Sequence, residues 1–246
     1  MSGHSKWASI KHQKAIKDSR RGVSFTKYAA LISVAARSGA DPATNFKLRL
    51  AVDSARKSGV PNVNIERAIK RGSGQDGATS FEEVTYEGYG PGGVAILVEA
   101  ATDNRNRTGP EVRAAFSKHG GSLGTSGSVA YQFHQRGVVI VAVKDIEEAE
   151  LDAIEAGAED VEENGDSLTI YTKPTELDAV RKAMSEKGYE VRSAELSFEP
   201  TTTVTVTDPK TVQTLMRLMD AFDDLDDVTN TYANFDIDPE LMEQSA

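Results

Sequence analysis

Two stretches of this chain carry side chains of the kinds that handle phosphate. The first is a run of cations near its start: Lys6, Lys11, Lys14, Lys17, Arg20, Arg21 and Lys27, with Trp7 among them. Ammonium and guanidinium groups neutralise phosphate, and an indole stacks on a base, so the set fits contact with nucleic acid. Trp7 is equally suited to anchoring this segment by packing. If residues 4–21 are helical, Lys14, Lys17 and Arg21 share one face. The second stretch is Asp103-Asn104-Arg105-Asn106-Arg107-Thr108, placed between a predicted strand and a predicted helix. It offers two guanidiniums, two amides, a hydroxyl and the free backbone N–H groups of a helix start, a combination suited to phosphate. It also reads as structural, with Asp103 and Asn104 forming turns and one Arg paired with Glu111 or Glu99. The sequence leaves both readings open.

Other patterns lose their chemistry in context. Gly88-Tyr89-Gly90-Pro91-Gly92-Gly93 matches G-x-G-x-x-G. A strand follows it where a dinucleotide site needs a helix, and Pro91 removes a donor, so a glycine-rich turn is expected. Gly120-Gly121-Ser122-Leu123-Gly124 matches G-x-S-x-G but follows a helix. His134 is the one later histidine, and no carboxylate separates it from Ser122. The run Gly120–Ser128 reads as a flexible connector or as backbone amides approaching the second phosphate-type loop. His4, His12, His119 and His134 lack metal-ligand spacing, and the acidic clusters lack the spacing of a calcium loop. Those clusters read as solvated surface, with Asp223–Asp227 also able to repel nucleic acid or face a basic partner. Zero Cys excludes disulfides, thiolate metal sites and cysteine nucleophiles. No catalytic residue, metal, cofactor or small-molecule substrate is expected.

The formal net charge of −10 over 246 residues argues against nucleic acid when read as one number. By segment it says something else. Residues 1–75 hold 15 Lys+Arg against 4 Asp+Glu, a net of +11, and the remaining 171 residues carry −21. Such asymmetry points to a polyanion-binding module joined to a solubilising one. No window is apolar enough for a membrane span or a signal-peptide core, so a cytoplasmic protein without membrane contact is expected.

The elements that must position these residues divide the chain into three. A basic helical domain spans 1–75. Ser24 caps a helix running to Arg37 on a stripe of Phe25, Tyr28, Ala29, Ile32 and Ala36. Asp41-Pro42 starts a second helix ending near Lys57, and a third runs from Asn62 to Arg71. The Gly/Ser-rich stretch at 72–77 coincides with the change of charge sign and marks a boundary. Strands at 81–87, 94–101 and 129–133 surround a helix at 108–119. From Val138 the order is βαββαβ, with a hairpin at Asn164-Gly165, which is the ferredoxin-like arrangement. A strand at 201–207, a helix from Pro209 and a strand at 228–234 then supply what the segment before residue 134 lacks. The expected architecture is therefore α+β and multidomain: the helical domain, a discontinuous α/β domain of 78–134 plus 201–240, and an acidic ferredoxin-like domain of 137–200 inserted in it.

Several motifs together resemble the YebC/PmpR family: Gly3-His4-Ser5-Lys6-Trp7, Tyr86-Glu87-Gly88-Tyr89-Gly90-Pro91-Gly92-Gly93, Asp103 to Thr108, Gly127-Ser128-Val129-Ala130-Tyr131, Ala156-Gly157-Ala158-Glu159-Asp160-Val161 and Leu215-Met216-Arg217-Leu218. The resemblance spans essentially the whole chain. It implies three domains and a non-enzymatic role in gene expression, as a DNA-binding transcriptional regulator or as a ribosome-associated translation factor. The family includes a mitochondrial translational activator and has no established catalytic residues. The motif that follows Met1 directly implies a bacterial, cytosolic member. The expected site residues are Lys6, Trp7, Lys11, Lys14, Lys17, Arg20, Arg21 and Lys27, with Arg105 and Arg107 as a second contact. The expected ligand is DNA or ribosomal RNA, with the ribosome as a candidate partner and the oligomeric state open. An acidic scaffold that binds a basic protein is the remaining alternative.

Overall fold

A computed structural model describes residues 25–75, 77 and 81–237. Lys6, Trp7, Lys11, Lys14, Lys17, Arg20 and Arg21 lie outside the described residues, as does the expected cap Ser24. The described residues form two compact units: those up to Phe133 together with those from Pro200 to Ile237, and His134–Glu199.

The first unit begins with helices α1 (Phe25–Ala36), α2 (Phe46–Lys57) and α3 (Asn62–Gly72). Their apolar faces close on Ile32, Ala36, Leu48, Val52, Ala55, Val60, Ile65 and Ala68. α1 and α3 touch backbone to backbone: a Cβ at Gly72 would fall 2.0 Å from the Ser33 carbonyl oxygen. The Ser33 hydroxyl donates to the Ala68 carbonyl at 3.0 Å. Two expectations change. Phe25 is 49% exposed, outside the buried stripe. The cap of α2 is Asn45, because Asp41 is used in a turn that accepts the Ala43 N–H. Asn45 accepts the Leu48 N–H and donates to Ala35 and Gly39 carbonyls, tying the end of α1 to the start of α2.

The same unit contains a four-stranded antiparallel sheet built from β1 (Glu82–Tyr89), β2 (Ala95–Thr102), β3 (Ser122–Leu123) and β9 (Val228–Ala233), in the order β3-β1-β2-β9. Helices α4 (Arg105–Lys118) and α7 (Pro209–Asp223) contribute to its core, where Phe116 and Phe222 meet edge to face at 4.8 Å. β8 (Val204–Thr205) and β10 (Phe235–Asp236) form a short parallel pair. Thus strands from before residue 103 and after residue 227 share one sheet. α1 packs here too, through Ala30 and Val34 against Phe81 and Ala101. The strand expected at 129–133 is instead a turn of 3-10 helix over Ala130–Gln132, followed by β4 (Phe133–Ala142). The strand expected at 201–207 shrinks to β8. The helix expected from Thr108 starts at Arg105, because the Asn104 side chain accepts the Asn106 N–H.

In the second unit α5 (Ile146–Glu155) and α6 (Leu177–Glu186) connect β4, β5 (Asp160–Asn164), β6 (Ser167–Thr172) and β7 (Glu190–Pro200). The sheet order β5-β6-β4-β7 is that of a ferredoxin-like βαββαβ fold. Gly165 turns the β5–β6 hairpin at a φ of 64°. The Asp145 side chain caps α5 by accepting the Glu148 N–H. The protein is therefore α+β and multidomain, with an N-terminal helical part and a ferredoxin-like insertion.

Candidate nucleic-acid interface

The loop Asp103–Thr108 leaves the end of β2 and enters α4. Its two arginines meet carboxylates. Arg105 places Nε 2.5 Å and Nη2 2.8 Å from the two oxygens of Glu82, a side-on fork. That contact holds the Glu82 carboxyl below the usual range and raises the Arg105 pKa further. Arg107 forks onto Asp227, with Nη2 at 2.8 and 2.7 Å from its two oxygens. Asp227 also accepts from the buried hydroxyls of Thr108 at 2.6 Å and Thr102 at 3.1 Å. Asp103 bridges two guanidiniums, Arg107 at 3.2 Å and Arg71 of α3 at 3.1 Å, and Arg71 lies 4.4 Å over the Phe81 ring. Of the two readings open in the sequence, the structure brings together the pairs of the second. The partners are Glu82 and Asp227, not Glu111 or Glu99. Glu99 instead accepts from Asn230 and Tyr232. Asp227 is 120 residues from Arg107 in sequence, so local spacing carried no signal for it.

A cleft of about 580 Å³ opens beside this network. Its walls include Asp103, Glu111, Asp224, Asp226 and Asp227 against Arg71 and Arg107. Five carboxylates against two guanidiniums give the cleft a net acidic lining, which disfavours phosphate.

The glycine-rich motifs converge on a carboxylate too. Glu87, on β1 and 6% exposed, accepts N–H groups from Gly127 at 2.7 Å, Val129 at 2.8 Å and Ala130 at 2.8 Å. Burial pushes its carboxyl up, and the three amides more than offset that, leaving its pKa lowered. Backbone N–H groups gathered in this way form an anion nest, here filled by the protein's own side chain. Tyr89 adds a hydrogen bond from its phenol to the Ser128 carbonyl at 2.9 Å. Ser122 and Leu123 pair with Tyr89 and Gly88. The segment 120–128 is therefore an anchored loop rather than a connector. A side chain at Gly88 would strike Phe116 and the Ser122 carbonyl at 2.6 Å, which accounts for glycine there.

Cations remain on the helical part. Residues 25–75 hold 9 Lys+Arg and 3 Asp+Glu. Lys47, Arg56, Lys57, Arg67 and Lys70 are exposed on α2 and α3. Lys27, on α1, donates to the Asp223 carbonyl at 2.5 Å. The five exposed cations contribute to the +11 but were not singled out in the sequence, because which side chains of these helices face solvent is decided by packing. Among the described residues no group of His, Cys, Asp and Glu is placed to hold a metal, and no helix is long and apolar enough to cross a membrane.

Comparison with known proteins places this geometry. Residues 5–75 match the model of the TACO1/YebC protein N-terminal domain, and residues 81–235 match that of the TACO1/YebC second and third domain. A probable transcriptional regulatory protein of Rubrobacter xylanophilus is 51% identical over 250 residues, covering 100% of both chains. One of Halothermothrix orenii is 49% identical over 249 residues, covering 99% of this chain and 98% of that protein. The crystal structure of a conserved hypothetical protein from Aquifex aeolicus superimposes with a TM-score of 0.84 at 46% identity, covering 90% of this chain and 92% of that one. Two family models in series, covering nearly the whole chain, establish that it belongs to the TACO1/YebC family.

Proposed function

We propose that this protein is a non-enzymatic regulator of gene expression that binds nucleic acid through its basic helical head, with DNA as the ligand and transcription as the regulated step. The observation that carries this reading is the separation of charge: a net +11 on residues 1–75 against −21 on the rest. The names of the relatives, probable transcriptional regulatory proteins, support transcription. In this reading Lys6, Lys11, Lys14, Lys17, Arg20, Arg21 and Lys27 neutralise phosphate, joined by exposed cations of α2 and α3, and Trp7 stacks or anchors. Arg105 and Arg107 position the loop through their carboxylates and add no phosphate contact. Residues 78–134 plus 201–240 act as the scaffold, and the acidic insertion at 137–200 limits adhesion to nucleic acid in general.

A salt titration of duplex DNA binding tests the mechanism. With roughly 5–6 phosphates neutralised, log K falls against log salt with a slope of about −5. A flat dependence removes the electrostatic head. Ribosomal RNA presents the same phosphate. Sedimentation of lysate through a sucrose gradient separates the two ligands: migration with ribosomes moves the regulated step to translation.

A further inference from the structure

We infer that Tyr131 is a base-stacking platform for single-stranded nucleic acid, set among uncharged neighbours of an otherwise acidic scaffold. The inference rests on the proposed nucleic-acid binding and adds to it a second contact outside the head.

Three observations converge on Tyr131. It is 73% exposed, more than any other large hydrophobic side chain among the described residues. Its backbone is nevertheless fixed on both sides. The Glu87 carboxylate holds the N–H groups of Val129 and Ala130 before it. The carbonyl of Gln132 after it accepts from the Thr201 N–H at 2.7 Å and hydroxyl at 3.0 Å, and the Gln132 side chain accepts from Asn234. Its phenol lies beside that of Tyr89, whose pKa is raised by burial and then by this neighbour. An exposed aromatic ring on a fixed backbone has only its own side-chain rotations to lose on stacking, so little is subtracted from the contact.

The surroundings select the ligand. The residues bonded to the turn that carries Tyr131 come from 87–89, the loop 127–132, Thr201 and Asn234, and apart from the buried Glu87 none of these is charged. Glu87 beneath them is buried, with its charge already met by amides. These neighbours add no exposed carboxylate of their own to repel a polyanion. Exposed hydroxyls of Ser122, Thr125 and Ser126 on the anchored loop offer neutral donors to phosphate. A base in a duplex has its faces covered by its neighbours, so a ring on the protein surface stacks on unpaired bases.

The test uses the full-length chain with oligothymidylate and a duplex of equal length. Y131A is expected to weaken binding of the single strand roughly tenfold, the scale of one lost base stack, and to change duplex binding less than about twofold. Y131F, which keeps the ring, is expected to bind as the parent does, and thermal midpoints of all three should coincide because the side chain is exposed. Parental single-strand affinity in Y131A overturns the platform, as does an equal loss in Y131F. Equal losses on single strand and duplex overturn it as well, since they indicate a general contact. The head reading fails by a different readout, the flat salt slope, and a parent that binds neither oligonucleotide overturns both.

Discussion

Each compact unit buries a glutamate on a strand, and the two are treated in opposite ways. Glu87 in the first unit is 6% exposed and Glu199 in the second is 2% exposed. Glu87 meets three backbone N–H groups and its pKa falls. For Glu199 burial dominates: Arg136 offsets it in part, Glu162 adds to it, and the carboxyl is pushed up to about 7. Burial thus fixes only the size of the penalty, and the supply of donors decides its sign. Where the donors are backbone amides of one loop, the carboxylate becomes the device that shapes the loop. The same distinction separates the arginines. Arg107 is used inside the protein on Asp227, while Lys47, Arg56, Lys57, Arg67 and Lys70 face solvent on the helical part.

The largest expected effect lies at Glu87. E87A removes the acceptor of three charge-assisted hydrogen bonds and leaves amide donors of the loop unsatisfied, including that of the fully buried Val129. A loss of about 3–5 kcal/mol is expected in denaturant unfolding. Single-strand binding should fall with it, because Tyr131 is aimed by the same loop. A loss under about 1 kcal/mol would mean that the nest is held by other contacts and that Glu87 resembles a surface carboxylate.

Glu199 is expected to respond to pH, with the opposite sign from a salt-bridged acid. Below its ordinary value near 4.5 the carboxyl is protonated in folded and unfolded chains alike, and it contributes nothing. Between about 4.5 and 7 the unfolded chain releases the proton while the folded chain keeps it, so stability declines as pH rises. Above 7 the loss is complete, with an upper bound of about 3 kcal/mol. E199Q cannot ionise. It should match the parent near pH 4 and exceed it by about 1–3 kcal/mol at pH 8. A parent that instead gains on E199Q as pH rises would show that Glu199 is stabilised in its charged form, as Glu87 is, and a difference that does not change with pH would show an unshifted carboxyl.

What the sequence made legible follows from the range of the interactions involved. The ferredoxin-like insertion was readable because its signals are local: Asn164-Gly165 turns a hairpin, Gly157 and Gly188 end helices, and the strands fall between them. The charge of the head was readable by counting. The cap of α2 was misplaced because Asp41-Pro42 carries a helix-start signal, while Asn45 wins through bonds to Ala35 and Gly39 that exist only after α1 has packed. The partners of Arg105 and Arg107 were missed because Glu82 and Asp227 come from a neighbouring strand start and from the far end of the chain. The Glu87 nest was missed for a related reason. Tyr86 to Gly93 and Gly127 to Tyr131 were both visible as motifs, but that one motif's carboxylate fills the other's amides is a tertiary fact.

The smallest expected effect tests the comparison where it is least obvious. The Arg105–Glu82 fork closes to 2.5 Å, shorter than the 2.7 Å of Arg107 to Asp227, yet its side chains are 58% and 39% exposed. Water and salt screen such a pair, and holding two long side chains in register has its own entropic penalty. R105A should therefore lower stability only slightly, and less at high salt. R107A provides the contrast. Its partner Asp227 is only 9% exposed and would keep the two threonine hydroxyls but lose its cation, so a loss of about 2 kcal/mol is expected. Binding sharpens the distinction further. If Arg105 positions the loop through Glu82, the salt slope of R105A equals that of the parent. If it neutralises a phosphate, the slope becomes shallower by about one. That second outcome would require the guanidinium to leave Glu82 on binding, and would restore this loop to the contact surface beside the head.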